Sequence, residues 1–248
     1  MLAFRRPDGP RSRERPAITS EPSALAIIPI HPTWPAGQLT IGGRSVLDAT
    51  VRALRAVPSI GPIVLALEGV DAEACLSAIE RPDELGVGAT ANHSSRWLAI
   101  AEALEAEPSL GTVLVHEPER PLLAPSSLTA LLDGLRGDGA MLGIAVHETV
   151  KRVVAGRVVG TIPRETVYAV QAPSAFRREP FAAAVARAVA ERWICRDELA
   201  LAGRAGLRVR LVDGPRSNLP IRSARDARYA ELRSMADELR LDVALAAG

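Results

Sequence analysis

The residues best placed to do chemistry lie in one short segment, residues 113–123, which reads VLVHEPERPLL. Three apolar residues end at His116 and Glu117, and Arg120 follows three positions on. A short apolar run bounded by polar residues reads as a buried strand. Glu117 then falls at the carboxyl end of that strand, where ligands bind in open α/β sheets. A carboxylate there can hold a hard divalent cation, or it can pair with Arg120 or Arg44. The sequence leaves both open. His116 reads as a buried, hydrogen-bonded histidine and His31 as a solvent-facing loop residue. Trp97 and Trp193 fall in helical stretches and read as packing residues.

The elements that must position this segment alternate along the chain. Apolar runs at 24–30, 62–68, 87–90, 112–116 and 141–147 read as strands. Between them lie helical patterns at 44–56, with Leu47, Val51 and Leu54 on one face, and at 71–79 and 94–106. A further helix, with Ser126 as its cap, runs to about residue 136. This alternation predicts βαβ units: a doubly wound, mostly parallel α/β sheet. The pattern breaks at 149–162, TVKRVVAGRVVGTI, where two β-rich runs flank Ala155-Gly156. That is a hairpin signal, and inside an α/β chain it predicts a protruding β-arm over about 149–163. A strand at 168–172, helices at 180–192 and 196–205, and a strand at 207–212 follow. Gly206 is placed to end the second helix. A closing helix starts near Ser223, with Tyr229, Leu232, Ala236, Leu239 and Val243 at helical spacing.

Composition narrows the classes. At 248 residues and 48% hydrophobic, the chain can bury a sizeable core. The net charge of +1 gives no case for a polyanion surface, so no nucleic-acid partner is expected. Of 30 basic residues only Lys151 is a lysine, which excludes any mechanism needing two ammonium groups. Cys75 and Cys195 belong to no CxxC or CxxH pattern and read as reduced. No apolar stretch of about 18 residues suggests a membrane span, and the start lacks an apolar signal core. These features predict a cytoplasmic protein. Residues 1–22, rich in Arg, Pro, Ser and Gly, read as a disordered tail, and residues 23–248 as one domain.

The segment around Glu117 resembles VLVHDAARP of the 2-C-methyl-D-erythritol 4-phosphate cytidylyltransferase family. Other segments resemble that family in the same order: ALAIIPI its first strand, GGRSVLDATVRAL the helix after it, and HETVKRV the root of its β-arm. TIPRETVYAVQAPSAFR and RDELALAGRAGLRVRLVDGPRSNLPI resemble its later strands and helix. The resemblance implies a nucleotide-diphospho-sugar transferase-like fold, a homodimer joined through the arm, CTP or a phosphorylated small molecule as ligand, and magnesium if active.

Carried over residue by residue, the resemblance gives Glu117 the place of the family's magnesium-holding Asp. Arg120, Thr149, Lys151 and Arg164 are retained, the last matching an arm Arg that grips substrate phosphate in the partner subunit. Other positions depart. The family's Gly-rich loop with an Arg and a Lys is here HPTWPAGQLTIGG, with no basic residue before Arg44. A family lysine is Pro220, a Thr is Arg196, a Thr and a Gln are Ala172 and Ser174, and the nucleotide-contact stretch is TANHSSR. No catalytic residue is retained in full. Arg44, Arg96, Arg120 and Arg196 are the arginines nearest in sequence that could replace the lost cations. Transfer at phosphorus builds negative charge that preorganised donors must meet. The expectation is therefore a diverged member that binds a nucleotide or phosphorylated ligand with impaired or lost transfer. The alternatives are an active nucleotidyltransferase with a rebuilt site, in isoprenoid precursor synthesis, and a non-catalytic dimeric scaffold.

Overall fold

A computed structural model describes residues 23–34 and 38–233. The expected tail at 1–22 and the expected continuation of the closing helix through Ala236, Leu239 and Val243 lie outside the described residues. The elements run β1 (Ala24–Ile30), β2 (Thr40–Ile41), β3 (Arg44–Ser45), α1 (Val46–Arg55), β4 (Ile60–Leu67), α2 (Ala72–Leu76), β5 (Val87–Ala89), α3 (Arg96–Glu105), β6 (Thr112–Val115), α4 (Pro125–Asp133) and β7 (Gly139–Ala145). They continue with β8 (Val150–Val154), β9 (Arg157–Ile162), β10 (Tyr168–Arg177), α5 (Arg178–Ala190), α6 (Glu198–Ala205) and β11 (Val209–Asp213).

Seven strands form one sheet in the order β11-β7-β10-β6-β1-β4-β5. Only β10 runs antiparallel to its neighbours; the other pairings are parallel. The predicted doubly wound sheet is therefore present. The interior strand β1, between β6 and β4, is buried along its whole length, and a strand's side chains alternate between faces. Ala24, Ala26, Ile28 and Ile30 accordingly join a core with residues of α1, α2 and α4. Leu25 and Ile27 join a second core with α3, α5 and α6. Phe176 and Phe181, both fully buried, stack there with ring centroids 4.5 Å apart.

From β1 the chain winds one way through β4 and β5, then crosses to β6 on the other side of β1. That reversal opens a crevice at the carboxyl ends of β1 and β6. Local chemistry sets the elements around it. Ser45 caps α1 by accepting from the Asp48 N–H, and Ser95 caps α3 through the Leu98 N–H. Gly206, at φ 77°, ends α6 as expected.

The arm is a separate two-stranded ribbon pairing Val150 with Ile162 through Val154 with Arg157. Ala155 and Gly156 take φ of 47° and 77°, the conformation of a type I′ hairpin turn. A smaller hairpin, β2–β3, went unpredicted; Gly42 and Gly43 turn it with φ of 57° and 78°.

Two expectations are corrected, and the closing helix is present in its described part. Ser126 lies inside α4, whose cap position is Ala124 with Pro125 first in the helix; proline's fixed φ and missing N–H suit that place. β10 continues past Ala172 to Arg177 because a register shift between Gln171 and Ser174 absorbs Pro173. The closing helix buries Ala227 and Ala230 against Val46 and Ile221, while Tyr229 and Leu232 are exposed. Small side chains allow the close approach, so the large ones face outward.

Candidate functional site

The crevice holds a cavity of about 360 Å³. His31, Thr33 and Trp34 line it from the loop after β1, Leu39 from the approach to β2, and Arg96 from α3. His116, Glu117, Pro118 and Glu119 reach it from the end of β6, and Ile221 and Arg222 from the segment before the closing helix.

The strand-end turn is braced from three sides. Thr50, fully buried on α1, donates to the Pro118 carbonyl at 2.8 Å. The Ile221 N–H donates to the Glu119 carbonyl at 2.7 Å. Arg120 is nearly buried; its Nε donates to Glu117 Oε2 at 2.6 Å and its Nη1 to the Asn218 carbonyl at 2.7 Å. Asn218 in turn donates from Nδ2 to the Ala172 carbonyl at 2.7 Å. Arg120 thus links the β6 end to the 215–221 segment and β10, from beneath the cavity.

Electrostatically the cleft is balanced. Arg120 pairs with Glu117, Arg222 Nε with Glu119 Oε1 at 3.0 Å, and Arg96 Nη2 with Glu198 Oε2 at 2.8 Å. Three guanidiniums therefore meet three carboxylates. His116 adds no charge: its burial pulls its pKa down from 6.5 to about 4, and its Nε2 bonds the Arg120 carbonyl at 3.1 Å. Burial also pushes the Glu198 carboxyl up, with Arg96 opposing.

The expected site residues divide clearly. Glu117 and Arg96 line the cleft, with Arg120 bonded to Glu117. Arg44 does not pair with Glu117; its Nη1 meets Glu80 at 2.6 Å and Asp48 at 3.6 Å, because it stands beside the first turn of α1. Thr149 and Lys151 lie on or beside β8, and Lys151 Nζ bonds Thr161 Oγ1 at 2.8 Å. Arg164 Nη1 donates to the His147 carbonyl at 2.6 Å, closing the arm root. Arg196 precedes α6. None of these four lines the cavity. The sequence reading missed Arg222, Glu119, Glu198 and Asn218; Arg222, two residues beyond Pro220 in the NLPIR segment, was the detectable one.

Magnesium can be tested against these groups. Among the described residues no group of three His, Cys, Asp or Glu side chains could hold a metal. Glu117 Oε2 is held by Arg120, which leaves Oε1 as the oxygen open to a cation. One carboxylate oxygen together with phosphate oxygens of a ligand is an ordinary magnesium anchor, so Glu117 fits that role.

The two cores, the single reversed strand, the side arm and the strand-end carboxylate facing a β1 loop define a nucleotidyltransferase-like α/β protein. The sequence model of IspD, 2-C-methyl-D-erythritol 4-phosphate cytidylyltransferase, matches residues 33–234, and the chain belongs to that family. The family enzyme of Deinococcus radiodurans is 32% identical over 220 residues, covering 86% of this chain and 90% of its own length. The crystal structure of 2-C-methyl-D-erythritol 4-phosphate cytidylyltransferase from Thermus thermophilus is 26% identical, with a TM-score of 0.69 over 85% of this chain and 98% of its own. The Anaerococcus prevotii 4-diphosphocytidyl-2C-methyl-D-erythritol synthase shares the fold with a TM-score of 0.74 at 23% identity, over 88% of this chain and 100% of its own. Among the described residues no helix is long and apolar enough to cross a membrane.

Proposed function

We propose that the crevice at β1 and β6 binds a cytidine nucleotide or a related phosphorylated small molecule, and that cytidylyl transfer to 2-C-methyl-D-erythritol 4-phosphate is impaired or lost. Family membership supports the ligand class. The impairment rests on one observation. The loop joining β1 to β3 brings no guanidinium or ammonium to the cleft before Arg44, which faces Glu80 instead, and each cleft arginine already has a carboxylate partner. Negative charge building at phosphorus therefore meets no cation beyond those already committed to a carboxylate or to the bound ligand. When bound with the ligand, magnesium would neutralise phosphate charge; Glu117 is the residue that would hold it, and Arg120 keeps the Glu117 carboxylate oriented.

Isothermal titration with CTP, with and without magnesium, tests binding. A steady-state assay with CTP and 2-C-methyl-D-erythritol 4-phosphate tests transfer. Binding with negligible turnover is the expected result; no binding in either titration would favour a scaffold. A second reading, an active transferase with a rebuilt site, draws support from the convergence of Arg96, Arg120 and Arg222 around Glu117. Turnover near 1 s⁻¹, ordinary for an enzyme, abolished by Glu117→Ala would establish it. The arm is proposed to join two copies: Val153, Val154, Val158 and Val159 are exposed on it, and a lone hairpin is only marginally stable.

A further inference from the structure

We infer that Glu198 is a positioning residue that holds the Arg96 guanidinium beside the cleft, and that a phosphorylated ligand draws Arg96 off it, leaving Glu198 to take up a proton from solvent. The inference rests on the reading that the cleft binds such a ligand.

Arg96 opens α3 and Glu198 opens α6, 102 positions apart, so the fold alone brings them together. Their contact is a single bond, Nη2 to Oε2 at 2.8 Å. Arg96 Nε is buried and has no hydrogen-bond partner, so the guanidinium is only partly satisfied. A guanidinium presents a planar fork suited to two parallel bonds with phosphate. A phosphate oxygen pair can therefore offer Arg96 more than Glu198 does, and Arg96 already lines the cavity where that ligand would lie.

Glu198 cannot replace the lost partner. The residue is 7% exposed, and Arg96 is its ion-pair partner among the described residues. The other charged groups acting on it are Glu117, from the end of β6, and Asp197, on its own element, and both favour the protonated form. Only its own backbone N–H remains to favour the charge. Burial already raises this carboxyl with Arg96 in place. A desolvated carboxylate that loses its cation neutralises by protonation rather than remaining charged. The balance is simple: one Arg–carboxylate bond breaks, Arg–phosphate bonds form, and one proton moves from water to Glu198.

The experiment is calorimetric titration of the full-length protein with CTP at neutral pH, in Tris and in PIPES, whose ionisation heats differ. Proton uptake approaching one per CTP in the unmodified protein, above that of Glu198→Gln, is expected. Titration of the triphosphate itself is common to both and cancels. Glu198→Gln should bind CTP about tenfold more tightly, because a charged hydrogen bond no longer competes for Arg96. Arg96→Ala should bind more weakly and show no excess uptake. CTP binding with the same buffer dependence in the unmodified protein as in both Glu198→Gln and Arg96→Ala overturns the inference while leaving the cleft reading intact, and either variant alone suffices for the comparison if the other fails to fold. Equal affinity of Glu198→Gln also overturns it. Absence of CTP binding in all three proteins overturns the cleft reading and this inference with it.

Discussion

Replacing Arg120 with alanine probes the brace beneath the cleft. The largest loss is at the Asn218 carbonyl, which accepts from Arg120 Nη1 at 2.7 Å. Asn218 is fully buried, so water cannot readily replace that donor, and a stranded buried acceptor costs about 1–3 kcal/mol. The bond to Glu117 counts for less. That carboxylate is 41% exposed and rehydrates on losing its partner, which limits the pair to about 0.2–1 kcal/mol. Lost packing of the nearly buried Arg stem adds to this. Together these give about 2–4 kcal/mol, and with roughly 2–4 °C per kcal/mol for a chain of this size, a fall in Tm of roughly 4–16 °C. Urea unfolding of Arg120→Ala against the unmodified protein measures it directly. A loss under about 1 kcal/mol with an unchanged m-value would refute the claim that Arg120 ties the β6 end to the 215–221 segment.

Three further outcomes follow from other parts of the molecule. In Gly139→Ala the new Cβ would lie 2.7 Å from Phe176 Cδ1 and 3.1 Å from the Ala175 carbonyl; Phe176 is fully buried, so urea unfolding should show a loss of about 1–3 kcal/mol. His116 has a folded pKa of about 4 against 6.5 unfolded, so the unfolded chain binds the extra proton in between. Its contribution is therefore intact above pH 6.5 and is lost as pH falls toward 4, by at most about 3 kcal/mol; His116→Gln should flatten that part of a stability–pH curve. Val153 and Val158 face each other across the arm, both exposed; Val153→Asp with Val158→Asp should convert dimer to monomer by light scattering at micromolar concentration, and a protein monomeric before mutation would reject the arm interface.

What was legible in the sequence has a local cause. β1 is buried on both faces, so it appears as an unbroken apolar run. The arm shows itself through Ala155-Gly156, which meets the positive φ the turn demands. Glu117 and Arg120 could be joined because they sit three residues apart on one turn. The rest depends on distant partners. The reversal of β10 is set by its neighbours β6 and β7 and leaves no mark in its residues. Arg96 could be named as a cation near the cleft, but Glu198, 102 positions away, could not be assigned to it. Arg44 looked available to Glu117 because nothing local reveals Glu80, 36 positions away.

The cleft's far wall comes late in the chain. Leu39 and Ile41 pack with Ile221, Ala227 and Ala230, and the Gly42 N–H is held by Glu231 Oε1 at 3.1 Å. A polypeptide emerging from the ribosome has every strand of the main sheet once residue 213 is out. It still lacks Asn218, which anchors Arg120, as well as Ile221 and Arg222. The cleft wall is thereby left open in a nascent chain even after the sheet is complete, and is closed only when the last described helix docks onto residues made near the beginning.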